Sequence, residues 1–229
     1  MRWNAPLSLP HAESLLHQLQ LADAATLVDL GCGWGELLLQ AAAMHPALHC
    51  EGIDNQAWAI ERARGATVER GLAARVRFRL QDATTWDGSA HRLMCIGSSH
   101  AWGGSSQALR ALAARSAPGG YLLYGDGCWE HGRPPADAVA IFGDGVLRLG
   151  DLAAEAVAAG WRVMHSSTAD LREWDEFESS WRDGREHWLR TNADDPAAEE
   201  LRQLVERRLR EYLDVYRGVL GFAYLVLRK

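Results

Sequence analysis

Asp29, Gly31, Gly33, Gly35, Asp54 and Asp82 are the residues of this chain whose types and spacing best suit chemistry. Asp29 lies in an apolar run, and the three alternate glycines follow at once, ahead of a helix-forming stretch at 37–44. That order is a strand, a tight loop and a helix. Glycine is needed where the backbone takes a positive φ or comes close to a ligand. The helix start adds free N–H groups and a partial positive charge, which suit a carboxylate or a phosphate. Dinucleotide-binding loops carry similar glycines, but they place the third where Glu36 stands here, and an acidic side chain at that point would crowd and repel a pyrophosphate. Asp29 favours a cationic group. A zwitterionic amino acid therefore fits the loop better than a diphosphate.

Asp54 follows a second predicted strand, 49–53, and closes the run Glu51-Gly52-Ile53-Asp54. That places it at the carboxyl edge of a parallel strand, the ligand side of an open α/β sheet. A carboxylate there can accept both hydroxyl protons of a ribose; its competing role is to cap the helix that begins near Gln56. Gln81-Asp82-Ala83, after a third strand, offers an acceptor for an exocyclic adenine amine and a backbone N–H for a ring nitrogen, or simply a loop turn.

Positioning these groups requires alternating strands and helices, the pattern of a parallel sheet. Strands are predicted over 26–30, 49–53, 76–80, 92–96 and 121–124, with helices over 36–44, 56–69 and 106–115 between them. Pro118-Gly119-Gly120 reads as a helix stop and turn. A helix over 151–159 and a strand over 161–167 follow. Two long helices, 170–190 and 196–217, come next, joined by a segment in which Asp195 and Pro196 signal a new helix start. An apolar run at 221–227 returns to the sheet as its last strand.

At 229 residues the chain has room for one α/β domain, 1–229, rather than two. Twenty-four basic against 30 acidic residues give a formal charge of −6, so no large cationic surface for nucleic acid or an anionic membrane is implied. The single lysine, Lys229, excludes mechanisms that need a lysine in mid-chain. Cys32, Cys50, Cys95 and Cys128 have neither C-x-x-C spacing nor companion histidines, so neither a metal site nor a disulfide framework is expected. Residues 1–21 contain no signal-like apolar core, and a cytoplasmic location is expected.

Taken together, Asp29, the glycine loop, Asp54 and Asp82 resemble the cofactor motifs of a class I S-adenosylmethionine-dependent methyltransferase, over about 26–124. The resemblance implies a Rossmann-like, seven-stranded, mostly parallel sheet of order 3-2-1-4-5-7-6 with the last strand antiparallel, helices on both faces and a helical cap. It implies S-adenosylmethionine as cofactor and S-adenosylhomocysteine as product. Gly31, Gly33 and Gly35 would face the methionine part with Asp29, Asp54 the ribose and Asp82 the adenine; Cys32, Asn55, Ala83 and Gly97 complete the expected contacts. Residues 4–8, 96–104, 125–129 and 188–195 are similar to a group of small bacterial methyltransferases with a helical insertion before the last strand, here 170–217. The protein would then act on a small-molecule methyl acceptor as a monomer or homodimer.

His100, after the fourth strand, is the candidate general base and acceptor contact, since imidazole titrates near neutrality; it could equally shape the pocket. Trp129, Glu130 and His131 follow the fifth strand and could line the acceptor from the other side. Trp174, Trp181 and Trp188 recur every seven residues with Phe177 among them, an apolar stripe that packs the insertion and could lend Trp181 to the acceptor. Trp34 and Trp102 could extend that wall. Residues 1–24 form a helical segment able to fold over the cofactor. Three other functions stay open on these residues: a non-catalytic cofactor-binding module, a macromolecule methyltransferase and, more weakly, a nicotinamide oxidoreductase.

Overall fold

The computed structural model describes residues 1–130 and 132–229. After α1 (Leu9–Gln18), the strands β1 (Thr26–Leu30), β2 (His49–Asp54), β3 (Val76–Leu80) and β4 (Ala90–Ile96) are separated by α2 (Glu36–Met44), by α3 (Ala57–Glu69) and by a short loop after β3. Next come α4 (Ser105–Arg115), β5 (Ser116–Trp129), α5 (Ala136–Phe142), β6 (Leu147–Arg148), α6 (Leu149–Ala158) and β7 (Arg162–Thr168). The long helices α7 (Leu171–Thr191) and α8 (Ala198–Glu211) lead through a π turn, Tyr212–Tyr216, into β8 (Leu220–Arg228).

The sheet runs β3-β2-β1-β4-β5-β8-β7. β1 to β5 are parallel neighbours, and β8 is antiparallel to both β5 and β7. This is the order expected from the sequence, with one addition: the two-residue β6 pairs with Cys128 and Trp129, beyond the point where β4 ends opposite Gly125. β5 also starts earlier than the sequence suggests. Ser116 pairs with Ala90 and Tyr121 with Arg92, so Pro118-Gly119-Gly120 is a bulge within the strand and not a stop before it.

Each face of the sheet carries its own core. In β8, Phe222, Tyr224 and Val226 point into one, with Leu15, Leu38 and Ile60 from α1 to α3; Ala223, Leu225 and Leu227 point into the other, with Leu109 and Leu112 of α4 and Leu152 of α6. Burial on both faces explains why this strand reads as a continuous apolar run.

The cap is held by carboxylates. Glu178 accepts two hydrogen bonds from Arg208, at 2.8 and 2.9 Å, and one from the Tyr216 hydroxyl at 2.9 Å. Asp175 joins Tyr212 and Arg217 in the same way. Glu173, on the first turn of α7, ties the cap to the N-terminal segment: its carboxylate accepts from Ser8 N at 2.8 Å, from His11 Nδ1 at 3.0 Å and from Asp170 N at 3.0 Å. Burial alone would raise its pKa, but these hydrogen bonds outweigh it and hold the carboxyl at about 2. The stabilisation is thus complete at neutral pH and is lost only as pH falls from the ordinary glutamate range through about 2. Glu173→Ala is expected to cost about 2 kcal/mol, since it strands buried donors. Urea unfolding at pH 7 measures this, and a midpoint equal to that of the parent would refute the latch.

Candidate active site

A cavity of about 330 Å³ opens at the carboxyl ends of β1 and β2. Asp29, Gly31, Cys32, Gly33, Gly35, Asp54, Asn55, Asp82, Ala83, Gly97 and His100 all line it. The glycines are there for different reasons. A Cβ on Gly31 would stand 2.1 Å from Ser98 Oγ, and one on Gly35 2.3 Å from the Phe78 ring. At Gly33, with φ +54°, a Cβ would meet nothing within 4 Å. Its open side is therefore free for a ligand, while its backbone conformation still favours glycine.

Asp54 is engaged twice within the fold, once at the helix start that the sequence offers as its competing role and once at the glycine loop. Its Oδ1 accepts from Gln56 N at 2.9 Å, ahead of α3, and its Oδ2 accepts from Gly33 N at 2.8 Å, across 21 residues of chain. Each oxygen keeps a further lone pair for the cavity. The carboxylate thereby ties the glycine loop to β2. Ser98 adds a second tie, donating from Oγ to Gly31 O at 3.1 Å.

The charges around the cavity differ sharply. Asp29 is 6 % exposed and has no hydrogen-bond partner for its carboxylate among the described residues; burial, and then the charge of Asp54, push its pKa up to about 7. An ammonium group seated beside it would reverse that cost. Asp82 is exposed, and hydrogen bonds from the Thr84 N–H and hydroxyl lower its pKa, keeping it ionised. Burial and the neighbouring Asp29 push the Cys32 thiol far up, so it lines the site as a neutral group.

The roof is the N-terminal strap. Trp3, Asn4, Ala5 and Leu7 line the cavity, and Trp34 Nε1 donates to Arg2 O at 2.7 Å. The Arg62 guanidinium lies 4.6 Å over the Trp34 ring. Trp58, near the start of α3, also lines the cavity and stacks at a tilt 5.9 Å from Trp34. Nothing in the sequence singles it out, because a tryptophan on an exposed helix turn has no distinguishing neighbours.

Of the residues expected on the acceptor side, His100 and Trp34 line this cavity, while Trp102, Trp129, Glu130 and Trp181 do not. Trp129 is buried in the core, edge-on to Phe142 at 6.3 Å. Trp102 packs towards the core on the α4 side of the sheet, its Nε1 buried without a hydrogen-bond partner among the described residues. Glu130 lies over Gly221, where a Cβ would stand 2.5 Å from its side chain. Trp181 lies on the cap with the Arg185 and Arg208 guanidiniums over its ring, at 3.6 and 4.2 Å. His131 lies outside the described residues. Of the tryptophan stripe, Trp174 is buried against Phe177 and Tyr216.

This strand order, with a glycine loop after β1 and acids after β2 and β3 around one cavity, defines a class I S-adenosylmethionine-dependent methyltransferase. The chain belongs to the methyltransferase domain family, whose model matches residues 21–157. It is similar to a methyltransferase from Geobacter sulfurreducens solved with S-adenosylhomocysteine: TM-score 0.91 and 28 % identity, over 99 % of this chain and 93 % of that one. A methyltransferase from Thiobacillus denitrificans, also solved with S-adenosylhomocysteine, matches at a TM-score of 0.89 with 28 % identity over the same shares. The YjhP protein of Escherichia coli strain K12 is 28 % identical over 218 residues, which is 91 % of this chain and 86 % of YjhP. The cofactor is S-adenosylmethionine. The groups present are compatible with it: a buried carboxylate, a glycine with an open side, a carboxylate with spare lone pairs and an ionised aspartate surround one cavity. Among the described residues no helix is long and apolar enough to cross a membrane.

Proposed function

We propose that this methyltransferase acts on a small molecule, with the chain working as one domain in which 1–24 forms a lid and 170–217 a cap. The roof over the cavity supports this assignment: a strap joined to Trp34 and latched through Ser8 and His11 to Glu173 leaves a space suited to a small acceptor and not to a duplex or a folded protein. Asp29 would hold the methionine ammonium, Gly31 to Gly35 and Cys32 the methionine chain, Asp54 and Asn55 the ribose, and Asp82 with Ala83 the adenine; Gly97 would leave room beside it. When bound, S-adenosylmethionine supplies a sulfonium methyl, to which the acceptor's lone pair bonds while the carbon–sulfur pair stays on sulfur.

The protein's contribution is alignment and exclusion of water. Among the described residues lining the cavity His100 is the one imidazole, and it would take the proton of an acceptor that carries one. A screen of small-molecule acceptors with labelled methyl donor tests the proposal, and label transfer to a protein or nucleic acid alone would defeat it. For an acceptor bearing a hydroxyl or an ammonium, His100→Ala is expected to lower kcat roughly a hundredfold with S-adenosylhomocysteine affinity unchanged. An unaltered kcat would remove His100 from the chemistry.

A further inference from the structure

Behind the strap lies a second cavity, of about 510 Å³, walled by 1–10 on one side and by 170–180 of the cap on the other. Trp3, Ala5 and Leu7 line both cavities, so the strap is their common wall. Its volume is within the usual range for small-molecule sites, about 300–1,000 Å³. Phe177 supplies an aromatic wall opposite the strap. Edge-on behind Phe177, Trp174 buries an indole N–H that has no partner among the described residues.

The charged groups at this cavity are unequally engaged. Glu173 is saturated by Ser8, His11 and Asp170; Asp170 accepts from Glu173 N, and Glu176 accepts from Ser180 Oγ. Neither guanidinium is paired with a carboxylate: Arg2 lies 5.6 Å over the Trp3 ring, and Arg172 makes no hydrogen bond or ion pair to any described residue. Glu173 is fully engaged within the fold, Asp170 and Glu176 are exposed with one neutral donor each, and neither guanidinium has a carboxylate partner among the described residues. What the cavity still offers a carboxylate ligand is apolar wall and the two guanidiniums, with Asp170 and Glu176 the acids such a ligand must keep clear of.

Resting on the methyltransferase reading, we propose that this second cavity is the acceptor site, and that the acceptor is a carboxylic acid with an apolar body. The carboxylate is the handle held by Arg172 and Arg2, and the body lies between Phe177 and the strap. The reactive end then needs only a movement of strap residues to reach the cofactor cavity.

The test uses aryl and alkyl carboxylic acids carrying a hydroxyl, amino or thiol group, beside their neutral amides and the matching amines without a carboxylate. Methyl transfer is expected to acids and not to amides or amines. Arg172→Gln should raise the KM of an accepted acid about tenfold, one charge-assisted hydrogen bond, with kcat within about twofold, and Arg172→Lys should restore part of it. Independently of turnover, a diazirine-bearing aryl carboxylic acid, photolysed in the presence of S-adenosylhomocysteine, should label peptides within 1–10 and 170–180. Equal transfer to amides or amines, an unmoved KM, or label elsewhere would overturn the assignment. S-adenosylhomocysteine binding with no acid methylated or cross-linked would also overturn it, and would leave the methyltransferase reading intact. Failure to bind S-adenosylhomocysteine at all would defeat the latter.

Discussion

Asp54→Ala is expected to weaken S-adenosylhomocysteine binding roughly a thousandfold, about 4 kcal/mol, measured by isothermal titration calorimetry. Two losses combine in it. A ribose forfeits its charged acceptor, and the loop forfeits its anchor, because Gly33 N and Gln56 N both donate to this carboxylate. Asp54→Asn separates the two. The amide keeps one acceptor oxygen, so it can satisfy Gly33 N or Gln56 N but not both, and it has no charge for the hydroxyls. Its affinity is expected between those of the parent and the alanine variant, with a melting temperature closer to the parent. Less than a tenfold loss in Asp54→Ala would mean that the ribose is held elsewhere.

The double role of Asp54 shows where sequence reading stops. Its position after β2 is legible because a strand ending in an acid before a helix is a local pattern. Its bond to Gly33 joins residues that only the β1–β2 pairing brings together. The same division runs through the fold. The bounds of β1, α2 and β3 coincide with the local expectations, since glycines and polar turns punctuate them. Pro118-Gly119-Gly120 carries an equally strong local signal for a stop, yet β4 pairs with Ser116 before it and with Tyr121 after it, so the chain stays in the sheet through a bulge. β6 and α5 are too short to show a period. The cofactor side of the cavity was legible because each acid stands at or near the carboxyl end of its own strand. The acceptor side was not. Proximity to a strand's end puts Trp129 and Glu130 on the right edge, but packing against Phe142 and Gly221 decides where those side chains go. The latch from Ser8 and His11 to Glu173 spans more than 160 residues and leaves only a capping-box pattern at Asp170 and Glu173 in the sequence.

Binding of S-adenosylhomocysteine should strengthen as pH rises towards and through about 7, then level, and Asp29→Asn should abolish that dependence. Buried and without a partner for its charge among the described residues, Asp29 holds its proton up to about 7 in the free protein. An ammonium ligand pairs with the ionised form alone, so below that pH each binding event must expel a proton, and affinity falls by up to about tenfold per pH unit. The variant offers no charge at any pH. Its affinity at pH 8 should be lower by roughly a hundredfold, a value typical of a buried charge pair broken on one side, and flat between pH 6 and 8. Stability moves the other way. A carboxyl whose folded pKa lies above its ordinary value destabilises the fold as pH rises from about 4 to about 7, with the full cost present above that. Asp29→Asn removes the cost, so the free variant should melt about 5 °C higher at pH 8 and show no gain at pH 4. A buried carboxylate that weakens the empty protein and strengthens the bound one is the signature of a group retained for its ligand. Matching pH profiles in the two proteins, or a variant no more stable at pH 8 than its parent, would show that Asp29 does not meet the ammonium.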